Sequence, residues 1–177
     1  MEEKVSVWKA NLTNGLILGL ISVVYALVMY FLDLTLNKTQ SYLLLLVLIV
    51  ILYFMLKSYR DNYLHGYIKY GQSVGAGVVI FLYYSIISAI FAYLLYKFID
   101  NGLIEKQIAM AEEMMAQRGT PQQAIDAAVK FQRKIMIPEI MAPVSIINNM
   151  FMGTIISILV SIFIKKEGNP LIDIPEN

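Results

Sequence analysis

Cysteine is absent from this chain, and histidine occurs once, at His65. Disulfides, thiol nucleophiles and thiolate metal sites are therefore excluded. One imidazole cannot by itself build a histidine-rich metal centre. Charge is scarce too. Asp, Glu, Lys and Arg make up 15% of the residues, against about 25% in a typical soluble domain. The net charge is +1, so no general attraction to nucleic acid is expected. There is no Walker loop, no HExxH and no nucleophile elbow. Neither an enzyme nor a cofactor site is expected from such a chain.

The missing charge is missing in blocks. Asn11–Leu32, Thr39–Leu56, Tyr70–Tyr96 and Ile140–Ile164 hold no Asp, Glu, Lys or Arg. A bilayer core about 30 Å thick takes roughly 20 apolar helical residues to cross. In lipid each backbone must satisfy its own hydrogen bonds, so helix is the economical form. The expected fold is all-α, an integral membrane four-helix bundle making one membrane domain over residues 1–177. Its spans are expected at about 12–32, 41–56, 73–96 and 144–164, with an extramembrane helical hairpin inserted at 97–143. The first span is too long for a signal peptide and lacks a small-residue cleavage site, so it reads as a retained anchor. Without cysteine, and with Glu2 in second place, no lipid anchor is expected. The tail after Lys165, with Gly168, Pro170 and Pro175, is expected to be disordered.

Basic residues near helix ends set orientation. Lys4, Lys9, Lys57, Arg60, Lys69, Lys165 and Lys166 fall on one side, and the first short turn holds only Lys38. Both termini are expected in the cytoplasm and the hairpin outside. The hairpin segment offsets Lys97, Lys106, Arg118, Lys130, Arg133 and Lys134 with Asp100, Glu105, Glu112, Glu113, Asp126 and Glu139.

Within that segment Ile104, Ile108, Ala111 and Met115 recur at helical spacing. Gly119 suits a helix end. Thr120 is expected to cap the next helix, with Pro121 at its first position and Gln123 completing a capping box. Ile125, Ala128 and Val129 continue the apolar stripe, and Pro138 ends it. These faces serve first as the hairpin's own core. The second reading is a docking face for a protein partner or lipid headgroups, with Met110, Met114 and Met115 as adaptable surface.

Small residues recur along the spans. Gly15 and Gly19 lie on the first; Gly71, Gly75 and Gly77 on the third; Gly153, Ser157 and Ser161 on the fourth. Such faces let membrane helices approach closely. The first, third and fourth spans are thus expected to form the packed centre, with the Leu-, Ile- and Val-rich second span facing lipid more. Packing within one chain is the plain reading, and homo-oligomer formation is the alternative.

Asn148 and Asn149 are the strongly polar groups of the fourth span and are candidates for a polar lining. No ionisable side chain falls inside a span, which argues against proton coupling. Tyr59, Tyr63, Tyr67 and Tyr70 share one helical face, beside Arg60, Asp61 and Lys69. Tyrosine favours the membrane interface. The segment reads as an interfacial anchor, or as a lipid-headgroup site in which Arg60 and Lys69 meet a phosphate.

The run from Tyr59-Arg60-Asp61 through Gly66-Tyr67-Ile68 to Tyr70-Gly71-Gln72, continued by Tyr96-Lys97-Phe98-Ile99-Asp100, resembles a known family. That family is domain of unknown function 4199, small four-span membrane proteins of Gram-negative bacteria. The resemblance extends from about Trp8 to Lys166 and implies a multi-pass protein of the bacterial inner membrane. It implies no activity. The expected function is a non-enzymatic structural or accessory membrane protein, acting through helix packing and a partner surface on the hairpin. The alternative is a small oligomeric transporter or channel-like subunit for a lipid or apolar solute. An enzyme acting on lipid ranks third, because it would lack a nucleophile and a base.

Overall fold

A computed structural model describes residues 6–167. Lys4 of the orientation argument, and the tail with Gly168, Pro170 and Pro175, lie outside the described residues. The elements are α1 (Val7–Phe31), α2 (Lys38–Tyr63), α3 (Tyr70–Leu94, continued by a wider π turn at Leu95–Ile99), α4 (Gly102–Gln117), α5 (Gln122–Ile135) and α6 (Pro138–Ile164). Among the described residues the only extended pairing is one isolated bridge between Ile68 and Lys166. The protein is an all-α bundle, as the hydropathy pattern predicts. Four of its helices (α1, α2, α3 with its π turn, and α6) are long and apolar enough to cross a membrane. It is a multi-pass membrane protein.

The long helices extend past the uncharged blocks. Expected at 12–32, α1 starts five residues earlier, where the Ser6 hydroxyl accepts from the Trp8 amide at 3.4 Å. Expected at 41–56, α2 runs from an Asn37 cap to Tyr63. Hydropathy marks where lipid ends, whereas a helix stops where its hydrogen-bond ladder is broken. At the end of α2, His65 and Gly66 take positive φ (53° and 83°), and the Gly66 amide folds back onto Arg60 O. The start of α3 is held by Gln72, whose Oε1 accepts from the Lys69 amide at 3.1 Å. This is the backward half of a capping box.

Val144 was the expected start of α6, but the helix begins six residues earlier at Pro138 and contains Pro143. Pro138 occupies a first position where no amide is needed. Ile137 O accepts from Ile140 N and Met141 N and closes the first turn. Pro143 then forfeits one ladder bond, to the carbonyl four residues back.

The described residues of Met1–Ile87 and Asn148–Asn177 form one compact unit, and Ser88–Ile147 form another. The first unit centres on Leu18, Leu48, Leu52, Leu56, Phe81 and Ile164, each 6% exposed or less. As expected, α2 is less buried than α3 and α6: 22% of its most apolar window against 39% and 28%, though α1 is no more buried than α2. Leu48, Leu52 and Leu56 stack at helical spacing and fill the core that a glycine stripe would otherwise leave to close backbone contact. The outward faces stay apolar: Leu20, Val24 and Leu46 are each 60% exposed.

In the second unit α4 and α5 form an antiparallel hairpin. Leu103, Ile108 and Ile125 are 2–3% exposed between them. Gly119 takes φ +73°, and the Thr120 amide reaches Met115 O while the Gly119 amide reaches Ala116 O. That pair of bonds is a Schellman stop. The expected capping box at Thr120 is not formed. Pro121 itself is the cap residue and α5 starts at Gln122, with no side-chain cap bond.

Candidate functional site

The Tyr59–Gln72 segment forms a connected end of the first unit. Its tyrosines do not share one helical face, because α2 ends at Tyr63. Tyr59 and Tyr63 are neighbours on α2, Tyr67 lies in the turn, and Tyr70 opens α3. Tyr59 is buried, while Tyr63, Tyr67 and Tyr70 are exposed. The Tyr70 hydroxyl donates to Ile158 O at 3.3 Å. Lys166 Nζ stands 5.3 Å from the centre of the Tyr67 ring. The Ile68 and Lys166 amides exchange bonds with each other's carbonyls at 3.0 and 3.1 Å.

Arg60 is at the centre of this end. Its Nε donates to Asp61 Oδ1 at 2.8 Å and Nη2 to Asp61 Oδ2 at 3.3 Å. Nη1 donates to the carbonyl of Ile164, the last residue of α6, at 3.1 Å. A cation at a helix C-terminus meets the negative end of the macrodipole and an orphan carbonyl together. The guanidinium is thus engaged by the protein on each of its three nitrogens. Lys69 is exposed, and its backbone rather than its ammonium takes part in the α3 cap. The chemistry available here is helix-end capping beside three exposed tyrosines.

The small residues divide into two groups. A Cβ on Gly15 would collide with Tyr83 and one on Gly19 with Ile87, so α1 and α3 touch closely there. A Cβ on Gly77 would collide with Ser157, and one on Gly153 with the Phe81 ring, so α3 and α6 do the same. The Ser161 hydroxyl donates to Ser73 Oγ at 2.8 Å with both residues fully buried. Gly71 and Gly75, expected on the same packing face, meet nothing within 4 Å. They point away from the α6 contact that Ser73 and Gly77 make.

Asn148 is exposed and Asn149 half-buried. Both line a cleft of about 420 Å³ with Ser41, Leu45 and Leu48 of α2, and Phe81 and Tyr84 of α3. Leu48, Phe81, Tyr84 and Ile156 of its lining also belong to the buried core of the unit.

Asn11 is a buried polar residue that the sequence reading passed over. It is fully buried in α1, donating through Nδ2 to Val7 O at 3.0 Å and accepting from Asn14 at 3.3 Å. Its signal was present. Asn11, Gly15, Leu18 and Ser22 follow one another at helical spacing, so the small-residue stripe continues one turn further back.

In the second unit the Lys97 ammonium donates to Glu139 at 2.5 Å and to the Tyr93 hydroxyl at 2.7 Å. Arg133 pairs with Glu105 across the hairpin at 2.8 Å, both more than half exposed. No group of three or more His, Cys, Asp or Glu placed to hold a metal occurs among the described residues.

Comparison with known proteins agrees with the sequence resemblance. A family model described as a protein of unknown function (DUF4199) matches residues 13–166. Searches of curated proteins and of solved structures matched nothing.

Proposed function

We propose that this chain, which belongs to the DUF4199 family of proteins of unknown function, is a non-enzymatic accessory protein of a bacterial inner membrane. Its spans form a closely packed support, and its hairpin presents a surface to another protein. The observation that carries this reading is the surplus of apolar surface on the hairpin. Ile108 and Ile125 already close its core at 2% exposure, yet Met110, Phe131 and Ile135 stay 39–61% exposed. Exposed apolar side chains on both helices of the hairpin suit an interaction surface. The distribution of Lys and Arg supports cytoplasmic termini and a periplasmic hairpin. Protease added to right-side-out cells should cut within Lys97–Pro143; cutting only in inverted vesicles would reverse the topology.

The alternative of an oligomeric transporter or channel-like subunit draws on the cleft at Asn148 and Asn149. Against it stands the absence of ionisable groups within the uncharged blocks.

A photo-crosslinking residue placed at Phe131 in living cells tests the leading reading. A discrete protein adduct is expected from position 131, and none from Lys106 on α4. No adduct at either position, together with solute flux in reconstituted vesicles, would favour the alternative.

A further inference from the structure

Two clefts lie along the same pair of helices. One, of about 420 Å³, contains Ser41, Leu45 and Leu48 of α2 and Asn148, Asn149 and Met152 of α6. The other, of about 330 Å³, is lined by Ile49, Val50 and Tyr53 of α2 and Leu159, Val160 and Phe163 of α6. Ile156 lines both. The two clefts meet at Ile156, the first bordered also by Phe81 and Tyr84 of α3, and successive turns of α2 and α6 line them end to end as a strip. Ser41 to Tyr53 is twelve helical steps, so the strip is roughly 18 Å long.

The strip is polarised along its length. Its polar end has Ser41 two residues into the uncharged block of α2 and Asn148 eight residues into that of α6. There the side chains of Asn148 and Asn149 make no hydrogen bond with other described residues. An amide left unsatisfied beside hydrocarbon is costly, and each amide offers two N–H donors. The Tyr53 and Phe163 end is almost wholly hydrocarbon.

We propose that the strip holds one acyl chain of a membrane phospholipid, with its ester carbonyl at Asn148 and Asn149. The polar order of such a lipid, ester first and alkyl chain below, matches the order of the lining. A free fatty acid fits less well. Its carboxylate would need a cation, and neither cleft is lined by Lys or Arg. This site is independent of the hairpin reading.

The test uses the full chain in phosphatidylcholine nanodiscs, with a photoreactive diazirine at the end of one acyl chain. Adducts should concentrate on Tyr53, Leu159 and Phe163. They should exceed those on Leu20 and Val24, lipid-facing residues of α1, by about fivefold, the worth of roughly one hydrogen bond. Paired Asn148→Leu and Asn149→Leu substitutions should bring the ratio towards one. Leu159→Trp, at a 54% exposed position that tolerates bulk, should do the same by filling the strip. Unchanged labelling of α1 shows that each variant is folded. Even labelling of the unsubstituted protein, or a ratio indifferent to both changes, would overturn the proposal. So would a diazirine fatty acid that labels the strip more strongly than the phospholipid does.

Discussion

Arg60 Nη1 donates to the backbone carbonyl of Ile164 at 3.1 Å, tying the last turns of α2 to the end of α6 across 104 residues of sequence. The same side chain grips Asp61, so one guanidinium joins the α2 end both to its own neighbour and to α6. A lysine could supply the charge but not the fork.

Arg60→Ala is therefore expected to destabilise the protein by about 1.5–3 kcal/mol, the range for hydrogen bonds to charged groups. Arg60→Lys should fall between it and the unsubstituted protein. Asp61→Ala should cost less than Arg60→Ala, because the Asp61 side chain is 43% exposed and its pair is solvent-screened. Reversible unfolding in mixed detergent micelles measures all three. A larger loss from Asp61→Ala than from Arg60→Ala would assign the stability to the ion pair instead of the helix-end bond.

Ser73 and Ser161 form a buried hydroxyl pair between α3 and α6. Interhelical bonds of this kind average about 0.6 kcal/mol in membranes, because the separated helices also find partners. A double-mutant cycle with Ser73→Ala and Ser161→Ala should return a coupling near that figure. Additive single effects would mean that the pair contributes shape alone.

The glycines should divide as their surroundings do. Gly153→Ala places a methyl against the Phe81 ring. Overpacking of that sort costs about 1–3 kcal/mol. Gly75→Ala enters open space and should be neutral or stabilising by about 0.5–1 kcal/mol through helix propensity. The same unfolding assay compares them. If Gly75→Leu instead shifted a dimer to monomer on size-exclusion chromatography, the open face would be a homo-oligomer contact.

Gly119 holds φ +73° at the hairpin turn with open space around it. Gly119→Ala should therefore cost about 1–2 kcal/mol from backbone conformation alone. Ile125→Ala should cost about 2–5 kcal/mol by opening the hairpin core. Hydrogen exchange of the α4 and α5 amides reads both losses locally. Protection unchanged in Ile125→Ala would mean that the hairpin is not held by its own core.

Four spans and an intervening hairpin were legible because both signals are local. An uncharged run of helical length has few other solutions in lipid. Apolar residues three and four apart, followed by Gly119 and a proline, carry a helical hairpin in their order alone. Helix ends were less legible. α2 and α6 extend beyond their apolar blocks to Tyr63 and back to Pro138, because capping bonds and positive-φ turns end helices and hydropathy does not register them.

Sequence by itself determined the class of molecule, the number of crossings and the residue types available for chemistry. Only the tertiary structure decided which of those residues meet. Gly77 and Gly75 are two positions apart and look alike in one dimension. One lies against Ser157 and the other in open space, because two steps around a helix turn a residue to the far side. In the same way Arg60 found Ile164, and Asn148 and Asn149 came to border α2. Contacts between distant segments depend on how helices rotate and approach, and that is settled when their side chains pack together.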